Sequence, residues 1–196
     1  MATPEGGAAI IGRVLDSAVA KALDAVVFSA APADDNQPAG LLHEAIEVPA
    51  AAAGAGAMVD DVANLVGSIA DRGIDVAGVV LVAAPRQAIT LKLCAGPAFD
   101  LPVLVGSGLD DGLVAVIAPI GLASALGSPR IEASRAGLVQ YASSAVDSAF
   151  QQDLLSLRVV TSGAWAVEPG AVAFIERVNW GRAAAPARTS GARHER

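Results

Sequence analysis

Residues 149–175, AFQQDLLSLRVVTSGAWAVEPGAVAFI, decide the fold more than any other part of the chain. Leucine and valine dominate a run at 154–160, which the pair Ser162–Gly163 interrupts. The apolar pattern resumes around Trp165, turns at Pro169–Gly170 and ends in a second apolar run. Such runs between turn dipeptides predict strands separated by turns. We expect Trp165 to be at least half buried, because it lies in mid-strand in a chain with few aromatic residues.

The composition indicates one domain, or two closely packed ones, with an aliphatic core. The chain has 196 residues, of which 54% are hydrophobic, 17% charged and only 4% aromatic. The core must therefore be built from alanine, valine, leucine and isoleucine. No uninterrupted apolar run reaches the ~18 residues that suggest a membrane span, and the start MATPEGGAAIIGR lacks the basic region of a secretion signal. The single cysteine, Cys94, excludes an internal disulfide.

The net charge of −7 argues against binding to duplex DNA, which needs clustered cations. The exception is the tail at 182–196, RAAAPARTSGARHER, where four arginines lie among small residues. This composition is typical of a disordered, solvated terminus, and a contact with nucleic acid is the less favoured alternative.

Hydrophobic periodicity predicts helices alternating with strands, which is an α+β (mixed α/β) fold. An amphipathic helix is expected at 8–30, with a stripe that includes Val14, Leu15, Val19 and Leu23. The remaining predictions are a loop at 31–36, helices at 58–72 and 85–93, strands at 76–83, 101–105, 113–117 and 131–134, a turn at 106–112, and helix or loop at 145–150.

The second predicted helix has an apolar face and a polar face. Val59, Val62, Leu65, Val66 and Ile69 are expected to line the apolar face. The polar face is expected to carry Asp60, Asp61 and Asn64, and Gly73 is expected to cap the C-terminus.

No group of residues in the sequence predicts catalysis. Residues 106–111, GSGLDD, half-match a dinucleotide-binding fingerprint, but the third glycine is missing and a hairpin turn is favoured. Gly54 and Gly56 are interpreted as a spacer before a helix. The only histidines are His43 and His194, too few for a usual zinc site, and Cys94 is expected to be a buried, inert thiol.

Three carboxylate pairs are interpreted as helix N-terminal charges or turn residues: Asp34–Asp35, Asp60–Asp61 and Asp110–Asp111. We therefore assign no catalytic, cofactor-binding or metal-binding residue, expect no cofactor, and do not expect an enzyme.

Two motifs carry a resemblance to a known family. The segment around Trp165 contains W-x-V-x-P-G-A, and residues 37–42 are QPAGLL. Together with the order of helices and strands between residues 14 and 175, they resemble the major capsid proteins of tailed bacteriophages of the Hong Kong 97 type. Residues 101–105, LPVLV, are similar to a strand of that family, with Asp100 in place of its usual glycine. The family's Asn-Pro strand end is replaced by Ala-Ala-Pro-Arg at 83–86.

The resemblance implies a shell subunit with no enzymatic activity. It implies a peripheral segment with the end of the spine helix at 8–57, an axial-domain segment at 58–134, closing strands at 135–180 and a disordered basic tail at 181–196. The first predicted helix begins close to Met1, so we expect that the N-terminal arm and the extended loop of the family are missing. The chain would then be a truncated fold: a fragment, a prophage remnant or a repurposed subunit. Asn179 is expected to be an ordinary polar residue rather than a cross-linking acceptor.

The resemblance also implies the partners and the location. The partners would be other copies of the chain in pentamers or hexamers, and other capsid and scaffold components. Neither a membrane nor specific nucleic-acid binding is expected. The protein would assemble in the bacterial cytoplasm and become part of the virion. Because the arm and loop are expected to be missing, we expect small oligomers rather than closed shells from the chain alone. For the same reason we expect the apolar stripe around Val14, Leu15, Val19 and Leu23 to be partly uncovered in a monomer, since the loop region would contribute to the sheet that covers this helix.

Two other interpretations remain open. The first is a small α/β enzyme or ligand-binding domain, with a pocket at the carboxyl ends of the strands at 76–83 and 113–117. The second is an encapsulin-like nanocompartment shell, which has the same fold and differs in its cargo.

Overall fold

Helices and strands alternate along the first half of the chain, and strands dominate the second half. The computed structural model describes residues 4–54, 56–94, 96, 99–134, 138–140, 146–148, 156–178 and 180. The helices are α1 (Pro4–Val27), α2 (Ala57–Ala70) and α3 (Pro85–Cys94), with a 3-10 turn at Pro119–Gly121. The strands are β1 (Ile46–Glu47), β2 (Val80–Ala83), β3 (Val103–Val105), β4 (Val114–Ile117), β5 (Leu122–Leu126), β6 (Arg130–Ser134), β7 (Leu138–Gln140), β8 (Val146–Ser148), β9 (Ser156–Val160), β10 (Gly163–Val167) and β11 (Val172–Ile175). The mixture of helix and sheet confirms the predicted α+β class at this level.

The chain divides into two compact units. The first comprises Met1–Leu122 and Val167–Arg196, and the second comprises Ala123–Ala166. The four segments expected from the sequence follow other boundaries, which stay a prediction.

A five-stranded mixed sheet organises the first unit, in the order β1-β11-β4-β2-β3. β4 lies between β11 and β2 and is antiparallel to both. Ile117 of β4 lies opposite Val172 of β11 on one side and opposite Val80 of β2 on the other. The outer pairs are parallel: β1 with β11, and β2 with β3. α3 connects the parallel strands β2 and β3, as a parallel pair requires.

Two helices cover this sheet. α2 packs against β11 and β4, and α3 packs against β2 and β3. All residues of β4 and β11 are buried, which explains why these strands are continuous runs of apolar residues rather than alternating ones. The largest fully buried side chains include Leu65 from α2 and Leu91 from α3. Each contributes roughly 1.5–3 kcal/mol of transfer free energy, so the aliphatic core predicted from the composition is confirmed.

Three two-stranded ladders lie between residues 122 and 167. They pair β5 with β10, β6 with β9 and β7 with β8. All five residues of β6 are exposed. Trp165 in β10 is mostly buried, which confirms the expectation for this residue.

Most predicted elements are present, with shifted boundaries. The first helix begins earlier and ends earlier than the predicted 8–30. β2 is shorter than the strand predicted at 76–83, because Gly78 adopts a positive φ of 74° shortly before it. Gly73, at φ 78°, donates its N–H to the Ala70 carbonyl, and thus takes part in ending α2 as predicted. The prediction of helix or loop at 145–150 is wrong where the structure describes it, because Val146–Ser148 is a strand. None of the helices in the described part of the chain is long and apolar enough to cross a bilayer.

Candidate functional site

The loop that half-matches a dinucleotide fingerprint binds a carboxylate of the chain itself. The side chain of Asp24, near the end of α1, accepts a hydrogen bond from the Ser107 N–H at 2.8 Å and a longer one from the Gly108 N–H at 3.4 Å. Glycine is required at 108, because a Cβ there would lie 2.6 Å from the carbonyl oxygen of Lys21. The N–H groups that a phosphate would need are therefore already occupied by α1.

The same loop is not a hairpin turn, contrary to expectation. β3 and β4, the strands on either side of it, do not pair with each other but flank β2 on its two sides. The loop therefore crosses the end of β2, and the sequence could not show this because pairing with β2 is a long-range property. One exposed ion pair lies at its far end, where Arg86 and Asp111 are 3.8 Å apart.

Asp61 is a buried structural acceptor rather than an exposed charge, which corrects the expected polar face of α2. Its side chain is fully buried. One carboxylate oxygen accepts the Ala51 N–H at 2.6 Å, and the other accepts the indole N–H of Trp180 at 2.7 Å. Asp61 thus joins α2 to the segment before it and to a residue 119 positions later in the sequence. Val59 differs in the opposite way: it was expected on the apolar face of α2, but it is 63% exposed.

The remaining candidates have ordinary surroundings. Asp34 forms a turn by accepting the N–H groups of Asn36 and Gln37 at 2.7 and 2.9 Å, as predicted. The His43 ring lies 3.3 Å from the Ala30 carbonyl oxygen. Gly56 is the N-cap residue of α2. The expectation of a buried Cys94 is wrong, because this thiol is exposed at the end of α3.

Other predicted candidates lie outside the described residues: Asn179, His194 and the basic tail at 181–196. Among the residues that the structure does describe, no three histidine, cysteine, aspartate or glutamate side chains are grouped so that they could hold a metal ion.

The pocket expected for a small α/β enzyme does not have the predicted geometry. β2 and β4 are antiparallel, so their carboxyl ends point to opposite edges of the sheet and cannot line one pocket.

Two apolar surfaces of the first unit are open to solvent. The first, which we call the α1 ridge, consists of Ile10, Ile11 and Val14, which are 57–65% exposed. Farther along α1, Leu15, Val19 and Leu23 are partly buried. The partly uncovered stripe that the sequence predicted is therefore present.

The second surface, the α2–α3 groove, is a depression of about 330 Å³. α2 provides one wall, and α3 with the segment that follows it provides the other. The lining residues are Met58, Val59, Val62, Ala63, Val66, Leu91, Phe99 and Leu101. All of them are apolar, so the groove can exclude water, and none of these described lining residues offers a side chain for acid–base or nucleophilic chemistry.

Solved structures of phage proteins share this fold. A chain of Gordonia phage Cozz matches with a TM-score of 0.54 and 15% identity, over 88% of this chain and 64% of the phage chain. A chain of Mycobacterium phage Che8 matches with a TM-score of 0.53 and 15% identity, over 89% and 64%. A chain in the structure of the satellite phage P4 procapsid including size determination (Sid) protein has a lower TM-score of 0.49 and 9% identity, over 91% of this chain and 65% of that chain.

The chain thus spans 64% of the length of the first two phage chains. At such identities the likeness shows the fold alone. No family model matches the chain, and no curated protein matches it.

Proposed function

We propose that the chain is a viral structural protein, the major capsid subunit of a tailed bacteriophage of the Hong Kong 97 type or of a prophage, which builds an icosahedral shell around DNA. One observation carries the proposal: nearly nine-tenths of the chain shares its fold with chains of two different phages. The motifs at 37–42 and around Trp165 support the same proposal, because they resemble motifs of Hong Kong 97-type capsid proteins.

The surfaces of the described residues are consistent with assembly rather than catalysis. The α1 ridge and the α2–α3 groove are apolar and open, which is typical of surfaces that bind another protein. The acidic net charge of −7 also suits the wall of a container, because it would not hold packaged DNA tightly.

The finer assignments are part of the proposal. Residues 8–57 act as the peripheral segment, 58–134 as the axial-domain segment and 135–180 as the closing strands. No residue is catalytic, and none binds a cofactor or a metal ion. The partners are other copies of the chain and further capsid and scaffold components, and the location is the virion.

Self-association of the purified chain tests the proposal. We expect sedimentation velocity to show oligomers that grow with concentration, and negative-stain images to show rings rather than closed shells. The double variant Val19→Glu/Leu23→Glu, on the partly covered stripe of α1, is expected to shift the distribution towards monomers while circular dichroism stays close to that of the wild type. A wild-type chain that stays monomeric over a hundredfold range of concentration would refute the proposal.

The cargo distinguishes the two kinds of shell. Particles purified from the host that contain DNA support the capsid assignment. Particles of the same fold that contain protein and no DNA would favour the nanocompartment alternative.

A further inference from the structure

The α2–α3 groove is large enough for several side chains and lacks the features of a small-molecule site. Its volume of about 330 Å³ exceeds the ~150 Å³ of a cavity that binds benzene. Sites for small molecules usually combine apolar walls with a few polar groups that fix the orientation of the ligand. Among the described residues, the lining of this groove consists of valine, alanine, leucine, methionine and phenylalanine side chains. Its chemistry therefore suits a row of aliphatic side chains from a protein.

The α1 ridge is a surface of matching chemistry on the same chain. Ile10 and Val14 are one helical turn apart, and Ile11 lies beside them, so the three exposed side chains form a short aliphatic row. The groove is lined by none of the α1 side chains that the structure describes, so the ridge and the groove of one chain do not fill each other.

The charges beside the two surfaces are complementary. Arg13 is exposed and follows Ile10 by three positions, which places it along the edge of the ridge, whereas Asp16 does not face Val14. Two exposed carboxylates lie near lining residues of the groove: Asp60 precedes Ala63 by three positions on α2, and Asp100 lies between Phe99 and Leu101. Lys92, after Leu91, is the one exposed cation next to a lining residue in the described part of the chain. The groove edge is thus net acidic and the ridge edge basic.

We propose that the α1 ridge of one copy of the chain binds in the α2–α3 groove of the next copy. This inference rests on the proposed function and identifies one of its contacts. The contact joins two different surfaces, so each copy uses its ridge on one neighbour and its groove on another. Such head-to-tail contacts produce rings when the rotation between neighbours closes. A ridge of three side chains makes a small contact, so one contact supports only a weak, concentration-dependent dimer, and closure of a ring adds the stability of larger assemblies.

Two variants with opposite defects test the contact. Val14→Glu places a charge on the ridge, and Val59→Glu places one in the groove, at residues that are 65% and 63% exposed. Each variant alone is expected to lose at least about tenfold in its association constant, measured by sedimentation equilibrium. An equimolar mixture is expected to form dimers and no larger species, because only the ridge of V59E and the groove of V14E remain intact.

Controls separate this effect from loss of folding or of surface hydrophobicity. Ile120→Glu changes a residue that is 71% exposed and belongs to neither surface, and it should associate like the wild type. Thermal melting should be unchanged in all three variants. Should a charged variant fail to fold, the uncharged pair Val14→Ala and Ala63→Leu, which trims the ridge and fills the groove, gives the same test.

The possible outcomes distinguish this inference from the proposed function. If the wild type is monomeric, both fail. If the wild type associates and V14E and V59E associate equally well, or if their mixture forms no dimers although each is monomeric alone, this contact is refuted and the proposed function remains. The variant Arg13→Glu is expected to weaken association most at low salt, where the charges beside the contact are least screened.

Discussion

The strands β4 and β11 and the strand β6 take part in antiparallel ladders of similar length, yet their surroundings are opposite. Every residue of β4 and β11 is buried, and every residue of β6 is exposed. α2 packs against β4 and β11, whereas β6 pairs with β9 in a ladder of two strands. Ladder hydrogen bonds alone are marginal in water, and a covered apolar face supplies most of the stability. The comparison predicts that the buried strands β4 and β11 contribute far more to stability than the exposed strand β6.

The largest expected effect comes from a matched pair of isoleucines in these strands. Ile175 in β11 is fully buried, and Ile131 in β6 is 66% exposed. Ile175→Ala should lower the free energy of unfolding by about 4 kcal/mol, because it removes buried methyl groups and leaves a cavity. Ile131→Ala should change it by less than about 0.5 kcal/mol. Urea unfolding followed by circular dichroism measures both, and equal losses would contradict the comparison.

Asp61 tests whether the first unit also depends on a buried polar group. Asp61→Ala leaves the Ala51 N–H and the Trp180 indole N–H without their acceptor, so the loss should be about 3 kcal/mol. Asp61→Asn keeps an acceptor for one donor and should cost less. The adjacent Asp60 is exposed and serves as the control, since Asp60→Ala removes only a favourable charge near the start of α2. If D61A and D60A unfold at the same urea concentration, Asp61 does not have this role.

Asp24 should give the smallest effect, because it links α1 to the loop at Ser107 and Gly108 and does not support the core. Asp24→Ala removes the acceptor of the Ser107 N–H and should cost about 1 kcal/mol. Asp16→Ala, at an exposed position of the same helix, is the matched control. Hydrogen exchange should show faster exchange of the Ser107 and Gly108 amides in D24A and unchanged protection in β4. Protection of both amides as in the wild type would show that the loop is held by other contacts.

Local pattern was sufficient to predict most helices and strands, because periodicity and turn residues act over a few positions. α3 and the strands β3, β4, β6, β9, β10 and β11 lie close to their predicted places for this reason, whereas β5 and β7 were not predicted. Features that depend on distant partners could not be predicted in the same way. Asp61 has the spacing of a residue on the polar face, and only its contact with Trp180 explains its burial. Likewise, a glycine-rich turn between two strands is typical of a hairpin, and only the pairing of both strands with β2 excludes it.

The open surfaces were predicted in part. The α1 stripe was expected to be partly uncovered because the loop region that would help to cover it in the family was expected to be missing, and the exposure of Val14 agrees. The groove was not predicted, because it is formed jointly by α2, α3 and the segment containing Phe99. Its shape depends on how these elements pack, which no single stretch of sequence records.

The pairing of β4 with β11 also bears on how this kind of chain can change length. The chain leaves β4, passes through the whole second unit and returns to β11 beside the point where it left. The Gly121 carbonyl oxygen and the Glu168 N–H are only 2.8 Å apart, and the Ala118 N–H and Ala171 carbonyl form a second bond across the same gap. The second unit is therefore an insertion in what would otherwise be a hairpin. Because each doubling of a loop costs only about 0.6 kcal/mol, inserts of very different size can be exchanged at this junction while the register of the sheet is kept.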